Sequence, residues 1–194
     1  MSGSVRETIA RVFAETIALH DRVARLDPAP IERAVDAITG ALAAGGTLLA
    51  FGNGGSAADA QHVVAELVGR YARDRRALKA VALTTDTSVL TSVANDFGFE
   101  RVFARQVEAL GRRCDVALAI STSGRSPNVL AGLEAARAAG LVTIAMTGGD
   151  GGLIGRTADV HVNVPSASTP RVQEVHRTLL HVMCEVIEER IGSQ

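Results

Sequence analysis

Residues 47–60 read T-L-L-A-F-G-N-G-G-S-A-A-D-A, an apolar run followed at once by a glycine-rich turn and by helix-forming residues. The pattern predicts a β-strand, a tight loop and an α-helix. Glycines let the backbone of such a loop approach a ligand closely, and Ser56 is suited to cap the helix and to offer its hydroxyl. A phosphate or a sugar hydroxyl is expected to fit at this helix N-terminus.

Further short β-rich runs follow, separated by helical stretches. They are K-A-V-A-L (79–83), D-V-A-L-A-I (115–120), L-V-T-I-A-M (141–146) and D-V-H-V-N-V (159–164). This alternation is typical of an α/β fold with three αβα layers, in which helices flank a five-stranded parallel sheet. Because ligands bind outside the carboxyl ends of such strands, the loops after the strands are expected to share one edge.

The predicted helices fall between and before these strands. Those within the sheet region are expected at 56–72, 87–95, 99–110, 126–139 and 170–191. A leading amphipathic helix follows the helical spacing of Val5, Ile9, Val12, Phe13 and Ile17, and a second helix is expected from Pro30. The leading helices, within 1–45, precede the sheet core at 46–194. They must pack outside that core or against another subunit, so we expect a single domain over 1–194 that forms an oligomer.

Composition narrows the class of protein. The chain has 194 residues, 47% hydrophobic and 3% aromatic, with a formal net charge of −1. Few aromatic side chains and no basic surplus argue against a nucleic-acid partner. The N-terminal sequence predicts neither a signal peptide nor a membrane span. Cys114 and Cys184 lack C-x-x-C spacing, which favours small buried thiols in a reducing, cytoplasmic protein.

A second loop, S-T-S-G-R-S-P-N at 121–128, follows the third strand. Ser126 is the expected N-cap and Pro127 the first helical residue. The hydroxyls of Ser121, Thr122 and Ser123 add neutral hydrogen-bond donors that suit a phosphate dianion. The alternatives are a serine-rich turn that bonds only its own backbone and, at Gly52–Ala57, a ligand-free turn or the G-x-G-x-x-A pattern of dinucleotide-binding proteins.

Two pairs of polar residues are candidates for proton transfer or metal binding. His62 and Glu66 are spaced i, i+4 and share one helix face, whereas Gln173 and His181 are separated by two helical turns and about 80° of rotation. A solvated helix face is the alternative for the first pair, and a structural histidine for the second. His20, His161 and His176 stay unassigned, and His176 is the nearest competitor of His181.

These motifs together resemble the sugar isomerase (SIS) superfamily and, within it, the phosphoheptose isomerases. They are G-N-G-G-S-x-x-D-A-Q-H-x-x-x-E-L, A-N-D-F-G, S-T-S-G-x-S and R-V-Q-E-x-H-x-x-x-x-H. The resemblance implies a SIS-type fold, a homotetramer and conversion of sedoheptulose 7-phosphate to an aldose through an enediol.

The resemblance also implies roles for individual residues. Glu66 and His181 are the implied catalytic residues. The implied ligands of one zinc ion per subunit are His62, Glu66, Gln173 and His181. The phosphate site is Ser121, Thr122, Ser123 and Ser126. Further substrate contacts are implied at Asn53, Gly54, Gly55, Ser56, Glu66, Asn95, Asp96 and Gln173.

Two positions depart from the family pattern. Arg125 stands in the serine loop where many relatives have Asn, so its charge either strengthens phosphate binding or faces water. Pro170 stands where some relatives have Asp, which leaves any role of that carboxylate vacant.

Two other functions compete with the isomerase. One is a non-catalytic SIS protein such as the regulator that binds the bacterial replication initiator, which lacks the acid/base pair. The other is a nucleotide-dependent oxidoreductase that recruits Asp86. The presence of Glu66 and His181 favours the enzyme over the first, and the serine loop is unexplained by the second.

Overall fold

Every strand of the sheet is parallel to its neighbours, as the sequence predicts. In this computed structural model, which describes residues 4–192, the strands are β1 (Leu48–Gly52), β2 (Ala80–Ala82), β3 (Val116–Ser121), β4 (Val142–Gly148) and β5 (Val160–Val164). Their order in the sheet is β2-β1-β3-β4-β5. All carboxyl ends therefore lie along one edge, with the loops after β1 and β3 side by side.

Helices cover both faces of the sheet. They are α1 (Val5–Ala24), α2 (Ala29–Ala43), α3 (Gly55–Val68), α4 (Thr87–Phe97), α5 (Ala104–Leu110), α6 (Pro127–Ala138), α7 (Gly152–Thr157) and α8 (Thr169–Gly192), with a 3-10 turn at Phe99–Arg101. Across residues 4–192, none of these helices combines the length and the apolar character needed to cross a membrane.

Two hydrophobic cores separate the sheet from its helical layers. Successive strand residues point to opposite faces, so Leu118 and Ile120 pack with α2, α3 and α8, whereas Ala117 and Ala119 pack with α5, α6 and α7. All residues of β1 and β3 are buried. Burial on both faces explains why these strands read as continuous apolar runs rather than as alternating patterns.

Three predicted helical boundaries are wrong. Ser56 does not cap α3, because Gly54 takes that position with a φ of 55° and the helix begins at Gly55. Helix α3 ends at Val68 rather than 72. The helix expected at 99–110 is interrupted, because the chain turns to bury Val102 and Phe103 in the core.

Helix α7 was not predicted. Glycines occupy two of its six positions, Gly152 and Gly155, and Gly151 precedes it. Because glycine is a poor helix former, the sequence carries no helical signal there. The glycines instead allow the backbone to pack against the ring of His161.

The expectation of two buried thiols holds for one cysteine and is wrong for the other. Cys184 lies on the buried face of α8, and burial, with a contribution from the charge of Glu66, raises the pKa of its thiol to about 12. Cys114 is exposed and has a φ of 81°. It lies in a turn held by Asp115, whose carboxylate accepts the backbone N–H groups of Thr47 and Arg112.

Helix α1 follows the predicted apolar spacing but exposes most of it. It packs on α8 through Leu19, which is buried, and through Thr16, whose hydroxyl donates to Glu174 at 2.8 Å. The apolar stripe on its outer side is more than half exposed, and consists of Val5, Ile9, Phe13 and Ile17.

A glycine within α6 is predicted to be required for helix–sheet packing. A Cβ atom at Gly132 would lie 2.9 Å from both Phe103 Cβ and Phe51 Cε2. Gly132→Ala gains about 1 kcal/mol of helix propensity but loses about 1–3 kcal/mol to overpacking, so urea unfolding is expected to show a net loss of stability.

The matched control is Gly40→Ala in α2, where a Cβ atom meets no other described atom within 4 Å. That variant is expected to gain about 0.5–1 kcal/mol. Equal stabilisation of both variants would contradict the close approach of α6 to the sheet.

Candidate active site

The loops after β1 and β3 meet where the strand order reverses. In doubly wound sheets this crevice is the usual ligand site. The two loops are joined by the carboxamides of Asn53 and Asn128, each donating to the other's oxygen at 2.8 Å. Asn128 was not among the predicted site residues, since a single sequence shows only that it follows Pro127 at the start of a helix.

Hydroxyl groups cluster in the serine loop at the start of α6. The Ser121 hydroxyl lies 3.2 Å from that of Ser126 and 3.5 Å from that of Ser123, which also accepts the N–H of Arg125. Ser126 is the N-cap residue, as predicted, but its side chain makes no capping bond. The hydroxyls thus bond mainly to one another, which leaves them able to turn towards an anion.

Arg125 points away from this cluster towards another loop. Its guanidinium donates to both carboxylate oxygens of Asp150, at 2.6 and 2.8 Å. The N–H of Gly152 and the Arg125 side chain together hold the pKa of Asp150 below its usual value. Arg125 therefore forms an exposed ion pair between two loops and faces water, which agrees with the second of the two expectations.

Helices α3 and α8 bring His62, Glu66 and His181 together. The Nε2 atoms of the two histidines are 2.7 Å apart, and Oε1 of Glu66 is 3.5 Å from His62 Nε2. All three residues are partly buried, and their ligand atoms lie within 4.8 Å of one another. Such a group can transfer protons or bind a metal ion.

Gln173 lies about two helical turns from His181 on α8 and directly against the glycine loop. A Cβ atom at Gly55 would lie 2.5–3.0 Å from its carboxamide. The two residues and His181 line one open cleft of about 640 Å³, which His20 and Pro170 also line. His20 was left unassigned by the sequence; it reaches this cleft because its Nε2 bonds the Thr178 hydroxyl at 2.9 Å.

Asn95 and Asp96 do not join the other predicted residues. Both are exposed near the end of α4, where the Asn95 amide donates to Asp96 at 2.8 Å. Neither residue is among the described residues that line the cleft, and the same is true of the serine loop, His62 and Glu66.

His176 does not compete with His181. Its side chain is fully buried, Nε2 contacts the Thr147 carbonyl at 3.0 Å, and burial lowers the pKa of the ring. His161 contacts the Thr147 hydroxyl at 2.6 Å, and burial likewise lowers its pKa. Both are structural histidines of the core edge.

Residues 71–75, which follow α3, pack beside the histidine cluster. No pattern in the sequence identified them as part of the site. Arg75 is almost fully buried and donates to the carbonyls of Glu66, Leu67 and Gly69, which ends α3 at its C-terminus. Glu188 accepts the N–H groups of residues 71, 72 and 73. The ring of Tyr71 consequently stands 5.7 Å from that of His181, centre to centre.

Comparison with known proteins places this fold in a family. The fold and edge loops define a SIS-domain protein, and the SIS domain family model matches residues 12–148. Phosphoheptose isomerase of Citrifermentans bemidjiense is 55% identical over 86% of each chain. The phosphoheptose isomerase structures from Neisseria gonorrhoeae and Francisella tularensis share 45% and 35% identity, each covering 96% of this chain and 100% of its own, with TM-scores of 0.91 and 0.93. The chain belongs to the phosphoheptose isomerase family.

Family membership removes the support for an oxidoreductase. Asp86, the residue such an enzyme would recruit, is instead the N-cap of α4, where its carboxylate accepts the Val89 N–H at 2.9 Å.

Glu188 predicts a pH-dependent contribution to stability. Burial alone raises its pKa, but the N–H donors and Arg75 outweigh that effect and the net pKa is lowered. A lowered folded-state pKa stabilises the fold above the unfolded value of about 4.3 and loses this effect as pH falls through the folded pKa. Glu188→Gln should therefore cost about 1–3 kcal/mol at neutral pH and progressively less below pH ~4.

Urea unfolding across this pH range measures the difference from wild type. Glu185→Gln, an exposed site on the same helix, serves as the control and should show little change at any pH. A pH-independent loss for Glu188→Gln would contradict the role of the ionised carboxylate.

Proposed function

We propose that this aldose–ketose isomerase converts sedoheptulose 7-phosphate to D-glycero-D-manno-heptose 7-phosphate, the first step of nucleotide-activated heptose biosynthesis. The observation that carries the proposal is the convergence of His62, Glu66 and His181 between α3 and α8, two helices that start at the sheet edge bearing the hydroxyl-rich loop. Family membership supports the same reaction class.

The sheet edge supplies neutral groups for the phosphorylated sugar. We assign the phosphate to Ser121, Thr122, Ser123 and Ser126, whose hydroxyls act with the N-terminus of α6. We propose that the glycine loop, residues 53–56, and Gln173 bind the sugar hydroxyls. Asn95 and Asp96, near the end of α4, are proposed as further substrate contacts.

Proton transfer is assigned to the two helices. Glu66 removes the proton from C1 of the ketose, which gives a cis-enediol, and returns it to C2. His181 moves the proton between O1 and O2, since an imidazole both donates and accepts near neutral pH. Partial burial of both side chains limits competition from water.

The donor set of the cluster also fits a zinc ion. Two imidazoles and a carboxylate are common zinc ligands, and the ligand atoms of His62, Glu66 and His181 lie within 4.8 Å of one another. We propose His62, Glu66, Gln173 and His181 as its ligands. When bound, zinc supplies a Lewis acid that polarises the sugar carbonyl. Glu66 cannot be a fixed ligand and a free base at once, so its carboxylate must change partners during turnover.

A homotetramer is the proposed assembly. The exposed stripe of α1 presents four apolar side chains, and His20 on the same helix lines the cleft. Closed symmetric association buries such a stripe and keeps water from a nearby site. We further propose a cytoplasmic location, which is supported by two free cysteines in the described chain.

Activity of the Glu66→Gln variant tests the function. NMR should show wild-type protein forming the aldose from sedoheptulose 7-phosphate, and the nearly isosteric amide should reduce kcat on the order of 10²–10⁴-fold because it cannot accept the C1 proton. Glu134→Gln on the exposed side of α6 should behave as wild type. Absence of turnover in the wild type would favour a non-catalytic SIS regulator.

Assembly is tested by polar substitution of the α1 stripe. Light scattering of the wild type should give a mass near four chains, and Phe13→Ser with Ile17→Ser should lower that mass together with activity, because the interface loses apolar area. Arg11→Ser on the same helix should leave the mass unchanged. A monomeric, fully active wild type would contradict the proposal.

A further inference from the structure

The amide pair between the two edge loops is a closed unit. Asn53 Nδ2 donates to Asn128 Oδ1, and Asn128 Nδ2 donates to Asn53 Oδ1, both at 2.8 Å. Asn128 is 3% exposed in the first turn of α6, while Asn53 lies at the mouth of the crevice and is partly exposed. The pair therefore has one end fixed in the core and the other facing the proposed substrate site.

Counting hydrogen-bonding groups shows what the pair leaves free. A carboxamide has two N–H donors and an oxygen that accepts two bonds. The second acceptor position of Asn128 takes the N–H of Val129 at 3.0 Å. Asn53 uses one N–H and one acceptor position in the pair. Its second N–H and remaining acceptor position are consequently each held in a fixed direction, outside the pair.

We propose that Asn128 is a positioning residue that orients Asn53 for the sugar phosphate. This inference rests on the proposed function, in which Asn53 contacts substrate. An unpaired Asn53 side chain would rotate about χ1 and χ2, and binding would have to order it again. The buried Asn128 removes that cost before the ligand arrives.

The pair also couples the two loops that the ligand must bridge. Asn53 follows β1 and Asn128 follows the serine loop of β3, and these strands are neighbours in the sheet. An interaction that is the same in the ground state and the transition state changes KM rather than kcat. Loss of Asn128 is therefore expected to appear in KM.

A double-mutant cycle tests the proposal. Asn53→Ala should raise KM for sedoheptulose 7-phosphate about tenfold, a typical effect of one polar contact to a ligand. Asn128→Ala should raise it nearly as much, with kcat within about threefold of wild type. Because Asn128 acts through Asn53, the double variant should show no larger KM than Asn53→Ala alone.

The control variant removes a buried polar group at the amino-terminal end of the strands, away from the crevice. Thr143 is fully buried at the start of β4 and bonds Asp159 at 2.6 Å. Thr143→Ala should lower thermal stability without changing KM, so a KM effect in Asn128→Ala is separated from general destabilisation.

Several results would overturn the proposal. One is an Asn128→Ala variant whose KM equals that of the wild type. Another is a double variant whose KM rises by the product of the two single effects. If Asn128→Ala does not fold, side-chain amide NMR of the wild type decides, because a freely rotating Asn53 carboxamide contradicts the pair. Absence of wild-type turnover would count against the isomerase, whereas the NMR result would still decide whether Asn128 holds Asn53.

Discussion

The register between helices α3 and α8 is the constraint on which the site depends. The two helices start at the same sheet edge and run in the same direction. Their contacts occur in sequence order: Gly55 against Gln173, Asp59 with Arg177, and His62 with His181. A slip of one helical turn would move α8 by about 5.4 Å and separate every pair. The absent side chain at Gly55 and the buried carboxylate of Asp59 both fix this register.

The side chains of the proposed site are carried by two kinds of element, short loops and long helices. The crevice between β1 and β3 offers amides and hydroxyls on short loops, whereas the proton-carrying groups project from long helices. Phosphate recognition tolerates some adjustment because several neutral donors share one anion. The proposed proton transfer needs closer placement, and the helices and the Glu188-bound segment hold the side chains proposed for it.

Local patterns predicted those parts of the structure that depend on nearby residues. The buried strands, the Pro127 start of α6 and the shared face of His62 and Glu66 follow from periodicity and capping chemistry. Long-range pairing left no such signal. Arg75 reads as one charge in a basic run, yet it is buried on the carbonyls that end α3. The pairing of Asn128 with Asn53 can be seen only in the structure, where two loops that are distant in sequence are neighbours.

Glycine residues caused two errors in the predicted helices. Gly54 takes the capping position that Ser56 was expected to fill, and glycines conceal α7 from any pattern of helical propensity. In both places the backbone adopts positive φ angles that side chains disfavour. Positive φ also occurs at Cys114, a residue for which composition alone predicted burial.

The contrast between the two thiols gives the molecule a built-in attachment point. Cys184 is shielded and stays protonated at neutral pH, whereas Cys114 is exposed two residues before β3. A maleimide dye should therefore label one position per chain. That position lies at the amino edge of the sheet, a strand length of roughly 20 Å from the crevice. A fluorophore there would report the tumbling of the protein in solution while leaving the proposed substrate crevice untouched.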